Sequence, residues 1–345
     1  MNLTPRTVAF SRKATNVFFH ILTQCNLSCR HCYINPAQHG RAMLSLGTID
    51  AWLAAFAKPQ GRANVIFLGG EPTLHPDLAE AVRMARRHGY GSITVDTNGY
   101  LLHDFIHRVT PAEVDFISFS LDGPDPETND ATRGKGVFDA CVRGIRDAVA
   151  LGFRTSVIST VSRANIAALP RMPALLASLG VMRFFIQVIG LRGASSDAGP
   201  AAPGAVNAAG LQVTRQAWQR AVPPVAAAAA GLGLTVTYPK VYLDTGELFE
   251  CAGNVADNVF IFPNGRVYRC PLCEDYPVHS LHMVQNQVAA APRLNEKDFF
   301  RLDIAEGCVM NKLIQPGNID YLPDGRPAAR IACCLLKEEI VPAKR

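Results

Sequence analysis

Residues 17–33 read Val-Phe-Phe-His-Ile-Leu-Thr-Gln-Cys-Asn-Leu-Ser-Cys-Arg-His-Cys-Tyr. An apolar run long enough for one strand, Val17 to Ile21, leads into a loop carrying Cys25, Cys29 and Cys32. The next stretch changes from a period of two to the three- and four-residue steps of a helix. This strand-then-helix unit recurs along the chain. Further strands are expected over Asn64 to Leu68, Ser92 to Asp96, Asp115 to Leu121, Arg154 to Val161 and Met182 to Ile189. Helices are expected near Thr48 to Lys58, Pro76 to His88, Leu101 to Val109, Val137 to Leu151 and Ile166 to Leu179. Alternating βα units specify a parallel sheet covered by helices.

Six such units are too few for a closed eight-stranded barrel. The expected fold class is therefore α/β, a partial (β/α)6 TIM-like barrel with a small C-terminal α+β domain, its functional loops at the C-terminal ends of the strands. The expected division is a core over residues 1–190, a linker over 191–210 rich in Gly, Pro, Ala and Ser, and a C-terminal domain over 211–345. Phe138, Cys141, Val142, Ile145 and Val149 fall on one helical face, which makes Cys141 a core residue.

The chain has 345 residues, 48% of them hydrophobic and 18% charged, a composition that can build a sizeable core and is not that of a disordered chain. Its net charge of +5 comes from scattered lysines and arginines, so no nucleic-acid surface is expected. The first residues lack the apolar core of a secretory signal, and no apolar run is long enough to span a bilayer. A cytoplasmic location with no membrane partner follows as an expectation. In a large chain of that kind, ten cysteines point to metal binding or catalysis rather than to disulfides.

The CxxxCxxC spacing of Cys25, Cys29 and Cys32 suits three corners of a 4Fe–4S cluster and leaves the fourth iron without a protein ligand. A zinc knuckle is the competing reading. It wants a fourth ligand, and His31 lies between two of the proposed ones, expected to point away.

CxxxCxxC followed by an aromatic residue, Tyr33, after the first strand of a βα series resembles the radical SAM superfamily. Gly69-Gly70-Glu71-Pro72, after the second strand, resembles the family's GGEP motif. Thr97 and Asn98 close the third strand, Ser120 and Asp122 resemble the ribose- and carboxylate-contacting strand, and Gln187 to Ile189 resembles the stretch against adenine. The resemblance implies an exchangeable S-adenosylmethionine (SAM) on the open iron, a 5′-deoxyadenosyl radical formed from it by reductive cleavage, and an electron donor of flavodoxin or ferredoxin type. Cofactor contacts are then expected from Tyr33, Gly69, Gly70, Glu71, Pro72, Thr97, Asn98, Ser120, Asp122, Gln187 and Ile189.

Six more cysteines lie beyond residue 250. Cys251 and Cys270 flank two apolar strands joined by Pro263-Asn264-Gly265, a hairpin that brings them together. The C-x13-G-x4-C spacing resembles the opening of the SPASM domain and of its shorter relative, the twitch domain. The remaining SPASM run is absent, so one auxiliary 4Fe–4S cluster is implied, on Cys251, Cys270, Cys273 and Cys308, with Cys333 or Cys334 able to replace the last. A zinc ribbon on the same cysteines is the alternative. The vicinal Cys333-Cys334 pair admits two readings: a hydrogen-atom donor to a substrate radical, or an apolar strand, IACCLL, packed in the core.

Substrate identity resides in loops, because in such enzymes the cofactor supplies the chemistry and the protein supplies binding and position. The leading expectation is modification of a peptide or protein, served by a separate leader-peptide-binding protein, since only a short segment precedes the first strand. The alternative is a small-molecule radical oxidase or biosynthetic enzyme acting on a tetrapyrrole, cofactor, lipid or sugar-derived metabolite. An iron–sulfur scaffold without radical chemistry is disfavoured by the GGEP and SLDG motifs.

Overall fold

The computed structural model describes residues 6–8, 14–196, 210–244, 246–291 and 293–342, with only the backbone of 6–8 and 103. Its strands are β1 (Arg6–Val8), β2 (Thr15–His20), β3 (Ala63–Leu68), β4 (Ser92–Thr97), β5 (Phe116–Ser120), β6 (Thr155–Val161), β7 (Arg183–Val188), β8 (Thr235–Pro239), β9 (Tyr242–Leu243), β10 (Asn258–Ile261), β11 (Arg266–Tyr268), β12 (Leu281–Val284), β13 (Gln287–Ala290), β14 (Arg330–Ile331) and β15 (Lys337–Ile340). Its helices are α1 (Pro36–His39), α2 (Leu46–Phe56), α3 (Leu78–Arg87), α4 (His103–Arg108), α5 (Pro126–Arg133), α6 (Val137–Ala150), α7 (Met172–Ser178), α8 (Arg215–Gly231), α9 (Ala252–Val255), α10 (Glu296–Phe299) and α11 (Val309–Ile314).

The six expected strands are β2 to β7, and they pair in parallel in chain order. The parallel run is longer than expected, because β8 adds beside β7 and β10 beside β2. Antiparallel β15 and β1 extend one edge, and β11, β12 and β13 extend the other. Helix α8 and strand β8, which the sequence reading grouped with the C-terminal part, thus continue the βα series. Of the expected linker, residues 197–209 lie outside the described set.

The pleat sends alternate side chains to opposite faces. On β2, β3 and β4 the set Val17, Phe19, Val65, Phe67, Ile93 and Val95 is buried under α2 and α3, each large apolar side chain contributing about 1.5–3 kcal/mol. The other set faces a cavity of about 360 Å³: Phe18 and His20 on β2, Leu68 on β3, Asp96 on β4, Ser120 on β5, Ile158 and Thr160 on β6, and Gln187 on β7. Pro239 of β8, Phe260 of β10 and Lys337 of β15 line the same cavity, so the sheet curls around it as a partial barrel. Cys141 is buried in the helix layer.

Helix α5 was not anticipated. Asp125 accepts from the Thr128 N–H at 2.8 Å and Pro126 occupies the first turn, a start signal present in the sequence. Conversely, Cys333 and Cys334 lie in the connection between β14 and β15, so the expected apolar strand IACCLL is corrected to a strand end at Ile331 followed by a turn. Among the described residues no helix is long and apolar enough to cross a membrane.

Candidate functional site

The loop after β2 is held by the turn after β3. The N–H of Gly70 donates to Leu22 and that of Glu71 to Gln24. A Cβ on Gly69 would lie 2.6 Å from the Leu22 carbonyl oxygen, and one on Gly70 would lie 2.2 Å from that of Gln24. The glycines are therefore required by close approach to the cysteine loop itself, as well as lining the cavity. Glu71, 1% exposed, ties β3 to β4. It accepts from the Thr73 N–H and hydroxyl at 3.1 and 2.6 Å, the Thr97 hydroxyl at 2.8 Å and the Asn98 N–H at 2.7 Å. Burial raises its pKa against the effect of those four donors. The Asn98 amide in turn donates to Asn26 at 2.9 Å and lies 3.8 Å from the Cys25 sulfur.

Cys25, Cys29 and Cys32 all line the cavity, together with Tyr33, the Gly69–Pro72 turn, Thr97, Asn98, Ser120, Gln187 and Ile189. Asp122 does not. It stands behind the wall with its Oδ2 2.6 Å from Arg133 Nε and 3.4 Å from His31 Nε2, while its Oδ1 accepts from the Thr160 N–H. Arg133, at the end of the unanticipated α5, lines the cavity, and the α5 backbone anchors the loop through the Arg30 N–H to Thr132. Burial pushes the pKa of all three thiols up, while the Arg133 guanidinium opposes this at Cys29 and Cys32.

A layer of rings backs the loop. Phe262 is stacked between His20 and His39, at 4.1 and 4.2 Å between centroids. His20 Nδ1 faces the Ile261 carbonyl and so must donate, which leaves Nε2 to accept from the Tyr33 hydroxyl at 2.8 Å. His39 Nε2 donates to the Glu274 carbonyl, and its Nδ1 accepts from the Asn35 N–H. Both rings are neutral, their pKa values lowered by burial to about 3 and about 4.

The six C-terminal cysteines form a second, closed set. Cys251, Cys270, Cys308, Cys333 and Cys334 line a hollow of about 20 Å³ walled by Phe249, Phe299, Phe300 and Met310. Cys273 is fully buried beside Cys270, its N–H bonded to the Cys270 carbonyl. The crowded thiols perturb one another: Cys333 raises the pKa of Cys251 and of Cys334, and Cys273 raises that of Cys270. The structure thus brings the four expected ligands together and adds both members of the vicinal pair. Glu296, fully buried, holds the Cys270 turn by accepting from the N–H groups of Arg269, Cys270 and Ser280 and from the Ser280 hydroxyl. Cys334 and Leu335 line both hollows, so Cys334, not Cys333, has the placement a hydrogen-atom donor would need.

Arg192 joins the two sets. It donates to the Pro271 carbonyl at 2.6 Å and pairs with Glu274, 1% exposed, while its guanidinium lies 4.8 Å from the Tyr33 ring centroid. Gly193, at φ +57°, lets the following N–H, that of Ala194, reach the Cys32 carbonyl at 2.8 Å. Neither Arg192 nor Glu274 carries a sequence signal, since their partnership is tertiary.

The donor chemistry fits clusters. Soft thiols in threes on one loop beside open space, or gathered in a closed apolar hollow, suit iron–sulfur ligation. Among the described residues no three His, Cys, Asp or Glu side chains gather tightly enough for a single ion. The compact zinc sphere, about 2.3 Å from each sulfur, is thus not preformed there.

The model of the radical SAM superfamily matches residues 20–166. A protein described as "Probable GTP 3',8-cyclase" from Saccharolobus solfataricus is 32% identical over 143 residues, covering 41% of this chain and 46% of its own length. The Fe-coproporphyrin III synthase of Methanosarcina barkeri is 32% identical over 166 residues, covering 45% of this chain and 39% of its own. The chain spans less than half the length of these relatives. Among solved structures, Streptococcus suis SuiB bound to precursor peptide SuiA superposes with a TM-score of 0.61 at 13% identity, over 86% of this chain and 66% of that one. The anSMEcpe structure with bound AdoMet and Kp18Cys peptide gives 0.59 at 13% identity, over 88% and 83%. At such identities the two structures speak for the fold alone. Residues 20–166, the segment that carries Cys25, Cys29 and Cys32, match the radical SAM superfamily, and the partial barrel agrees with that match.

Proposed function

We propose that this chain generates a substrate radical from SAM bound at a 4Fe–4S cluster on Cys25, Cys29 and Cys32, and that its substrate is a peptide or protein. One observation carries the reading: the three thiols open into the same cavity as the Gly69–Pro72 turn, Asn98, Ser120 and the Gln187–Ile189 stretch. When bound, the cluster and SAM supply a 5′-deoxyadenosyl radical by reductive cleavage, with the electron from a flavodoxin- or ferredoxin-type donor. The chain's own contribution is placement and exclusion of water. Glu71 and Asn98 fix the loop, Arg133 sets its charge, and the glycine turn presents backbone to the methionine part of the cofactor. Thr97, Ser120, Gln187 and Ile189 form the wall for ribose and adenine, while Asp122 acts from behind by orienting Arg133 and His31.

The closed cysteine hollow is proposed to hold one auxiliary 4Fe–4S cluster in a SPASM- or twitch-like segment, on Cys251, Cys270, Cys273 and Cys308 with Cys333 and Cys334 at hand. A separate leader-binding protein is the expected partner. The second reading, a small-molecule enzyme, is favoured by the relatives at 32% identity, one named as a cyclase of GTP and the other as a synthase of Fe-coproporphyrin III.

Anaerobic reconstitution followed by a 5′-deoxyadenosine assay tests the proposal. About eight irons per chain and reductant-dependent cleavage are expected from two four-iron clusters. Absence of cleavage at full iron loading would remove the radical reading.

A further inference from the structure

Three cations line the main cavity, and two have built-in partners. Arg133 is paired with Asp122 at 2.6 Å, and Arg192 with Glu274. Lys337 differs: among the described residues its side chain makes no ion pair and no hydrogen bond, and it lies half-buried at the start of β15. The acids on the same wall are committed elsewhere. Glu71 takes four donors, Glu274 takes Arg192, and Asp96, five strands away along the sheet, has its pKa raised by burial to about 7. Burial pushes the Lys337 ammonium pKa down, with the Cys334 thiol on the same wall opposing it.

The register fixes where this ammonium stands. Thr160 of β6 pairs with Gln187 of β7, and Phe185 of β7 with Thr237 of β8, so Gln187 comes level with Pro239, which pairs with Lys337. Thr160, Gln187, Pro239 and Lys337 form one row across four strands, all lining the cavity, with about 4.8 Å between neighbours. Lys337 therefore lies two strands beyond Gln187, next to the proposed cofactor wall and not within it.

We propose that Lys337 is the anchor of a substrate subsite that takes an oxyanion, a carboxylate or a phosphate, placing the acidic group of the substrate beside the cofactor wall. The inference rests on the function proposed above and narrows its substrate class. A peptide would offer an Asp or Glu side chain, and a small molecule its carboxylate or phosphate. Charge-assisted hydrogen bonding from an ammonium in a partly dehydrated cavity is the stronger kind and gives direction as well as affinity.

The test is calorimetric binding to the reconstituted holoenzyme of inorganic phosphate, of a capped Ala-Glu-Ala peptide and of its Ala-Gln-Ala counterpart. Binding of at least one anionic probe, with no binding of the glutamine peptide, is expected; which one binds separates phosphate from peptide carboxylate. Lys337→Gln should weaken that binding by about tenfold or more, as loss of one charge-assisted hydrogen bond implies, and Lys337→Arg should restore most of it. Should Lys337→Gln misfold, protection of Lys337 from acylation in the unmodified chain by the same anion, read by mass spectrometry, decides. Affinity untouched by Lys337→Gln, equal binding of both peptides, no protection, or displacement of the anion by SAM would each overturn the subsite. Cofactor cleavage by the unaltered holoenzyme, measured alongside, shows whether the broader function stands when the subsite falls.

Discussion

The two cysteine regions are built alike and enclosed differently. Each is pinned by one buried glutamate that accepts four hydrogen bonds, Glu71 for the loop after β2 and Glu296 for the turn after β11. Around Cys25, Cys29 and Cys32 the pins leave a cavity of about 360 Å³, whereas around the C-terminal set they leave about 20 Å³ between aromatic rings. A metal group that does chemistry keeps an open coordination position, and one that is structural or transfers electrons does not. In the function proposed above, turnover falls to the first region and a closed, supporting role to the second.

The sharpest way to break that contrast is to remove one thiol from each. Cys29→Ala should lose about four of roughly eight irons and reduce 5′-deoxyadenosine formation by about 10³-fold or more, since no open iron would remain for the cofactor. Cys270→Ala should lose a similar number of irons, yet the paramagnetic resonance signal of the other cluster should still shift when SAM is added. If the Cys270 variant loses that response, the two regions do not divide the work.

Arg192 is where the regions meet, so its loss should loosen both. Arg192→Met removes the partner of buried Glu274, and breaking such a pair costs about 3–5 kcal/mol. The lower end is expected, because burial already raises the Glu274 pKa and the lone carboxyl can take up a proton. Denaturant unfolding of the variant against the parent measures it. A change below about 1 kcal/mol, the range of an exposed pair, would show that the bridge is ornamental.

The ring sandwich between the regions gives the smallest effect. His20 and His39 are neutral when folded, with pKa values lowered by burial to about 3 and about 4, so below pH 6.5 the unfolded chain binds more protons than the folded one. Stability should therefore fall as the pH drops from about 6.5 towards 4, by roughly 1.4 kcal/mol per pH unit for each ring. His39→Gln should flatten that slope. An equal slope in the variant would place the proton uptake elsewhere.

Much of this was legible from residue order alone. The strands from Val17 to Ile189 were anticipated to within about two residues, because parallel strands under helices are apolar runs between helical periods. The cysteine triad and the Gly69–Pro72 turn stood out because ligand spacing and tight turns are local patterns. The rest depends on distant pairing. That β8 and β10 would prolong the parallel run, and that Cys333 would meet Cys251 across 82 positions, has no local period to announce it. Helix α5, by contrast, was announced by Asp125 and Pro126 and overlooked, and Arg133 was overlooked with it. Arg192, Glu274 and Lys337 were silent because an isolated charge says nothing of its counter-charge.

Leu272, Cys334 and Leu335 face both hollows at once. Side chains that face both hollows cannot hold their positions independently of what presses on the inner side. A cluster of the kind proposed for the inner chamber would therefore press on the floor of the outer one, and ligand preference should differ between fully and partly loaded protein.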